Sequence, residues 1–374
     1  MRNFIVVGES RALVLQALLA IHSLGSSHCI VIAGTGAAVL RLSRLCSEYH
    51  AFNFYGADDE SFVAHVNRFA KLLPNLTLVT SDCAGTRLVN RVRGSLRVRL
   101  APLPDSAMLD CLDNKWHFYE LCIGHGLCVP RTLYLASKAG QPFAAIVAAV
   151  GLPFVLKPLD QSVSVGICII VDEAQYTALV LENAGYQFAP LIAQRFISGS
   201  DVCLNLLAIN GEVKALSIHN RGHARVRFAA NPRLERIAHV LARHLHYHGV
   251  MNIDARIEHE TGQVYLLESN PRIWRSLAAS VWAGVNFVGE GLQPAQPGHA
   301  VLRLIDGSAD VYYHPAVRPG LWHHVLFGRG RQGRMARLMM LDPYFFLSSL
   351  RPVAITLWQV ANWLLLKRRI ARVY

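Results

Sequence analysis

No C-x-x-C pair occurs among the eight cysteines of this 374-residue sequence. Cys29, Cys46, Cys83, Cys111, Cys122, Cys128, Cys168 and Cys203 are scattered, mostly among apolar neighbours. That spacing excludes a disulfide framework or a structural zinc site and predicts reduced, buried thiols. Charge is also scarce, at 17% of residues against 52% hydrophobic, which excludes wholesale disorder and leaves enough apolar surface for two or three packed units. The N-terminus has an apolar run of only about five residues before Gly8-Glu9, too short for the h-region of a secretory signal, and reads as a first buried strand in a cytoplasmic protein. Neither early strand is followed by G-x-G-x-x-G, so Gly34 and Gly36 do not predict a dinucleotide cofactor. His244 and His248 stand at i, i+4 without the intervening glutamate of a zinc-protease helix, and no metal is expected there.

The formal charge is +12, but its position matters more than its size. From Arg318 to Tyr374 nine arginines and one lysine face a single acid, Asp342, giving +9 and leaving +3 for the other 317 residues. The basic character therefore belongs to the C-terminal segment, and no nucleic-acid partner is expected for the body of the chain.

Apolar strands alternate with helical runs from the start: residues 3–7, a helix over 12–24, a strand over 29–33 and another over 76–81. That order predicts an α/β fold with a parallel sheet and crossover helices. The arginine- and proline-bearing stretch 90–105 marks the end of this first domain. Beyond it, residues 153–158, 167–171 and 192–197 read as strands. Asn210-Gly211 between two apolar runs is a two-residue hairpin signal, and 233–248 reads as a helix. Residues 250–258 and 263–268 form a second hairpin around Glu260-Thr261-Gly262.

The chemistry concentrates on that second hairpin. Asn252-Ile253-Asp254 is followed by Tyr265-Leu266-Leu267-Glu268-Ser269-Asn270-Pro271-Arg272. Residues two apart on a strand share a face, so Glu268 and Asn270 point the same way and Asp254 on the partner strand can face them. Two carboxylates and an amide oxygen suit a hard, oxygen-preferring Mg²⁺. A cation is also the natural partner of carboxylates set in an apolar strand. Lys157 ends the apolar strand 153–158 and precedes the loop 160–166, a placement that can neutralise phosphates while the loop offers backbone N–H groups.

The order of these pieces resembles the ATP-grasp superfamily, especially the carboxylate–amine ligases and the carbamoyl phosphate synthetase large subunit. The resemblance is carried by residues 113–132, PFVLKP at 153–158, SVSVG at 162–166, LIAQRFISGSDV at 191–202 and the hairpin at 251–280, together covering residues 105–290. It implies an N-terminal parallel-sheet (pre-ATP-grasp) domain over 1–105 and an ATP-grasp domain of two α+β subdomains over 106–295; residues 296–374 leave the family pattern and read, from their own composition, as a basic tail with an apolar helix. The resemblance also implies ATP and Mg²⁺, with Mn²⁺ able to substitute. Lys115, Lys157 and Ser164 in the loop would hold the phosphates. Gln194, Phe196 and Ile197 would meet the adenine, and Asp201 the ribose. Asp254, Glu268 and Asn270 would bind the metal, and Arg272 would stabilise the transferring phosphoryl group. Two positions depart from the pattern: SVSVG has less glycine than the usual phosphate loop, and Arg195 stands where an acidic or neutral residue is commoner.

The implied activity is activation of a carboxylate as an acyl phosphate for attack by an amine. The alternatives are a bicarbonate-activating enzyme or a catalytically silent nucleotide-binding scaffold. Arg221, Arg225 and Arg227 lie where such ligases face the acceptor and are candidates to clamp a substrate carboxylate. The uncharged run 352–366, with Trp358 and Trp363 and basic residues after it, is shorter than the roughly 20 residues of a spanning helix. It reads as an interfacial helix at the cytoplasmic membrane face, or as a helix packed on the core or in a homodimer seam.

Overall fold

The computed structural model describes residues 2–56, 58–159, 165–220, 225–294, 300–309 and 319–348. Its strands, in chain order, are β1 (Arg2–Gly8), β2 (Ser27–Ala33), β3 (Glu48–Ala51), β4 (Thr77–Thr80), β5 (Arg99–Leu100), β6 (Thr132–Leu135), β7 (Phe154–Pro158), β8 (Cys168–Ile170), β9 (Leu191–Arg195), β10 (Gly199–Ile209), β11 (Glu212–Asn220), β12 (Val226–Phe228), β13 (Gly249–Glu258), β14 (Val264–Asn270), β15 (Leu302–Leu304) and β16 (Ser308–Ala309). They form three sheets, and the chain is α/β as the alternation predicts.

The first sheet has order β3-β2-β1-β4-β5 and all its pairs are parallel. Helices cover both faces, so β1 is buried along nearly its whole length and its apolar run carries no alternation. The sequence order reverses between β1 and β4, which opens a crevice at their carboxyl ends. The second sheet, β6-β9-β7-β8, is antiparallel. The third runs β14-β13-β10-β11-β12-β16, with β15 added parallel to β11. The hairpin between β10 and β11 turns on Asn210 and Gly211, both at positive φ (49° and 87°), the twist-matched turn that Asn-Gly adopts readily. The Thr35–Leu42 segment after Gly34 is a 3₁₀ helix.

The first and third sheets are held together through the helix Arg11–His22. It packs on β1 from one side and on the helix Leu277–Ala283 from the other, which explains why nine of its twelve residues are buried. Polar side chains lock this junction. Gln16 accepts from the Ala278 N–H (2.8 Å), and Asn286 donates to the Ala20 carbonyl (2.8 Å) and Ser23 Oγ (2.9 Å). The helices Trp322–Leu326 and Gly330–Met340 join the same apolar cluster through Leu321, Met335, Ala336 and Met339. Residues 300–309 extend the third sheet, on the far side of position 295 from the rest of it. All eight cysteines are free. The loop 160–164, Arg221 and the apolar run 352–366 lie outside the described residues.

Candidate active site

The cleft of interest, about 240 Å³, opens between the second and third sheets. Its apolar walls are Val155, Ile167, Ile169, Val202 and Leu267. Ile167 and Ile169 are exposed for apolar side chains, at 39% and 47%.

β7 and β9 supply the polar floor. Val155 and Lys157 share a face of β7 because they are two residues apart. The buried Lys157 donates to Gln194 Oε1 at 2.7 Å, and Gln194 Nε2 donates to Thr132 Oγ1 at 3.0 Å. Burial lowers the Lys157 pKa from its ordinary value, opposed by the carboxylates of Glu268 and Asp254 and reinforced by Lys115 and Arg256. The Phe196 N–H donates to the Pro153 carbonyl (3.1 Å) and the Ile197 carbonyl accepts from Arg256 Nη1 (3.1 Å), so both residues are tied into the cleft rim. Arg195 at the cleft edge pairs with Glu258 (3.3 Å), which accounts for a cation being accommodated at that position.

β13 and β14 supply the acids. Their register sets Asp254 directly opposite Glu268 and Asn252 opposite Asn270, with a bulge just after Asp254. Glu268, Asn270 and Asp254 therefore share one face. Lys115, first residue of the helix Lys115–Gly124, brings its Nζ to 4.0 Å from Glu268 Oε2. Asn114 caps that helix by accepting from the Trp116 and His117 N–H groups, and so fixes where Lys115 starts. Cys203 Sγ donates to Asp254 Oδ1 (3.2 Å). Arg272 Nη2 donates to Asn270 Oδ1 (2.7 Å).

Asp254 and Glu268 line the cleft with Lys157, and Asn270 shares their face of the hairpin by register; two carboxylates and an amide are donors that suit Mg²⁺ or Mn²⁺ with phosphate oxygens completing the shell. Among the described residues no group of three His, Cys, Asp or Glu side chains could hold a metal by itself. A cation here would depend on the Asn270 amide and on its ligand.

Several residues of the site were not singled out from the sequence. Arg256 pairs through Nε with Asp201 at 2.9 Å and lies over the Phe196 ring, 5.3 Å from its centroid. The polar residues Asn252, Asp254 and Arg256 alternate with Ile253, Ala255 and Ile257, and that period-two signal marks Arg256 as facing the cleft. Asp82 follows β4 in the crevice of the first sheet, accepting from the Ser10 (2.7 Å) and Gly85 (2.9 Å) N–H groups. Burial raises its pKa, opposed by the Gly85 and Ser10 N–H groups and then by the Arg272 charge. Glu9 sits there too, its pKa raised by burial and by Asp82. Arg225 and Arg227 are exposed, the latter on β12, and neither lines the cleft.

Residues 187–303 match the family described as "ATP-grasp in the biosynthetic pathway with Ter operon". The chain is 32% identical over 99 residues to the D-alanine–D-alanine ligase of Cupriavidus metallidurans, covering 26% of this chain and 29% of that one. It is 26% identical over 184 residues to the carbamoyl phosphate synthase arginine-specific large chain of Bacillus subtilis, covering 45% of this chain and 17% of that one. It thus spans less than a third of the length of either relative. In fold it is similar to N5-carboxyaminoimidazole synthetase from Staphylococcus aureus, solved with ADP, with a TM-score of 0.61 at 12% identity over 87% of this chain and 86% of that one.

Proposed function

We propose that this chain, an ATP-grasp protein, is an ATP- and Mg²⁺-dependent ligase that joins a carboxylate to an amine. The observation that carries the reading is the opposed pair Asp254 and Glu268, with Lys115 and Lys157 beside it, at the mouth of an apolar cleft. Asp254, Glu268 and Asn270 would hold Mg²⁺, which when bound neutralises phosphate oxygens. Lys115 and Lys157 add positive charge to the same phosphates. Val155, Ile169 and Leu267 would sandwich the base, with Gln194 on the floor and Asp201, shared with Arg256, toward the sugar.

In the reaction a carboxylate oxygen displaces ADP from the terminal phosphorus, giving an acyl phosphate. The amine then adds to the acyl carbon, inorganic phosphate leaves and a proton is lost from nitrogen. Little covalent work falls to the protein; fixed charge stabilises the transferring group. Arg272 would take that role; its guanidinium is held by Asn270 and by the Ile273 carbonyl (3.0 Å). Glu9 and Asp82 on its other side suit a positively charged amine before it is deprotonated.

The test is ADP release by the purified chain against panels of amino acids and amines, with product mass read for every hit. A condensed product supports the reading. ADP release that depends on bicarbonate alone, or no release with any acid, would remove it.

A linked result concerns protons. Lys157 is depressed below its ordinary 10.5 in the free protein by burial, and a triphosphate beside it restores the charged form. Nucleotide binding at alkaline pH should therefore take up a proton. Titration calorimetry in buffers of different ionisation enthalpy reads this directly, and proton release would contradict it.

For the C-terminal segment we infer contact with an anionic membrane surface. Leu326, Phe327, Leu341, Phe346 and Leu347 are exposed, in a region rich in arginine. Among the described residues no helix is long and apolar enough to cross a membrane, so the contact would be peripheral. The full chain should sediment with anionic vesicles, release in high salt and lose binding on deletion of 349–374. Equal binding to neutral vesicles contradicts this, and a concentration-dependent dimer without vesicle binding assigns the patch to a second copy.

A further inference from the structure

One rung of the third sheet is polar across four strands. In register, Asn270 on β14 faces Asn252 on β13, Asn252 faces Asn205 on β10, and Asn205 faces Ser217 on β11. Asn252, Asn205, Ser217 and the neighbouring His219 are all buried. Unpaired amides in such a place are costly, and here none is unpaired.

The bonds run in one direction. Asn270 Nδ2 donates to Asn252 Oδ1 (3.2 Å), Asn252 Nδ2 donates to Asn205 Oδ1 (3.0 Å), and Asn205 Nδ2 donates to Ser217 Oγ (3.1 Å) and His219 Nδ1 (3.0 Å). With Nδ1 accepting, the His219 proton is on Nε2, which meets Ser276 Oγ at 3.3 Å. A primary amide has one donor end and one acceptor end, so once its NH₂ is committed its oxygen must point the other way. At the start of the chain that oxygen is Asn270 Oδ1, the atom that accepts from Arg272 Nη2. The far end is anchored on β11, two residues before Arg221, and the Ser276 contact returns it to the segment that follows Arg272.

We propose that Asn252 and Asn205 are positioning residues whose relay, together with the Arg272 contact at its other end, fixes the orientation of the Asn270 amide, so that its oxygen and not its NH₂ is the end available to a cation. The inference rests on the metal reading above. A cation binds the carbonyl end of an amide and is repelled by the NH₂ end, so a freely flipping Asn270 would be a ligand only part of the time. Partners beyond the ligands commonly hold metal-site groups in this way, and their loss costs roughly 10–100-fold in metal affinity.

The test uses the full chain with a non-hydrolysable ATP analogue, reading Mn²⁺ affinity by electron paramagnetic resonance and, separately, the metal-free Tm. Asn252→Leu removes the acceptor for Asn270, and Mn²⁺ affinity should fall by roughly 10–100-fold. Asn252→Asp keeps that acceptor, so Mn²⁺ affinity should stay close to the parent's even though a buried charge lowers Tm. A merely structural role gives the reverse: affinity follows Tm in both variants. Should Asn252→Leu not fold, Asn252→Ser, too short to reach Asn270, is read in the same way. Glu268→Gln separates the two levels. If it binds Mn²⁺ like the parent, the cation is not at this hairpin and the metal reading falls with the relay. If it loses Mn²⁺ while Asn252→Leu keeps it, only the relay falls.

Discussion

Glu268→Gln is expected to lower turnover by about 10²–10³-fold, the usual cost of removing one fixed charge that stabilises a reacting group. The substitution is nearly isosteric, so packing on β14 is kept. Its effect runs through two routes. One of two opposed carboxylates is neutralised, and Lys157, whose pKa Glu268 holds up more than any other neighbour does, is pushed further toward its neutral form. Both weaken the hold on a metal-bound triphosphate, so the nucleotide KM should rise as kcat falls. Steady-state ADP release measures both, and parental values for the variant would mean the β13–β14 hairpin is not the reacting site.

Asp342→Ala is expected to destabilise the fold by about 3–5 kcal/mol, because a buried charged acceptor is removed and several donors lose their partner. Asp342 is 1% exposed. Its carboxylate accepts from Ser43 Oγ (2.6 Å) and the Arg44 N–H (2.9 Å) of the first domain, and from the Tyr344 (2.9 Å) and Phe345 (3.2 Å) N–H groups of its own segment. It is thus a clasp between residues 298 or more positions apart in sequence. Urea unfolding should show the loss, and limited proteolysis should cut the 319–348 segment earlier than in the parent. Asp342→Asn keeps one acceptor oxygen and should lose less. A full-strength Asp342→Ala protein would mean the C-terminal helices are held by their apolar contacts alone.

The hairpin 251–270 was legible in the sequence because a strand has a fixed period. Polar residues at 252, 254 and 256 against apolar ones at 253, 255 and 257 define a face without knowledge of any partner. Asn210-Gly211 was legible for a similar reason, since few residue pairs take positive φ twice in succession at little cost. Lys157 stood out because a charge closes an otherwise apolar run. The resemblance gave Lys115 to the phosphates, Gln194 to the adenine and Asp201 to the ribose; the structure sets Gln194 and Asp201 in the lining of one cleft and Lys115 near Glu268.

Other features had no local signal. Arg256 stands on the polar face of its strand, but its pairing with Asp201 exists only because β10 sets the two opposite each other. Asp82 caps the helix Cys83–Val92, and only the packing of the first sheet against the third brings Arg272 into its field. The strands β15 and β16 are too short for a pattern, and a sheet already in place recruits them. Asn205 lies in an apolar run whose neighbours say nothing of a polar partner.

By itself the sequence determined the periodic elements, their faces and the residue types gathered on the hairpin, because strand and turn preferences are properties of a few consecutive residues. Tertiary structure decided which charged side chains pair, which amide donates to which and where the C-terminal helices rest. Those outcomes depend on pairing between segments far apart in the chain, which local preference does not encode.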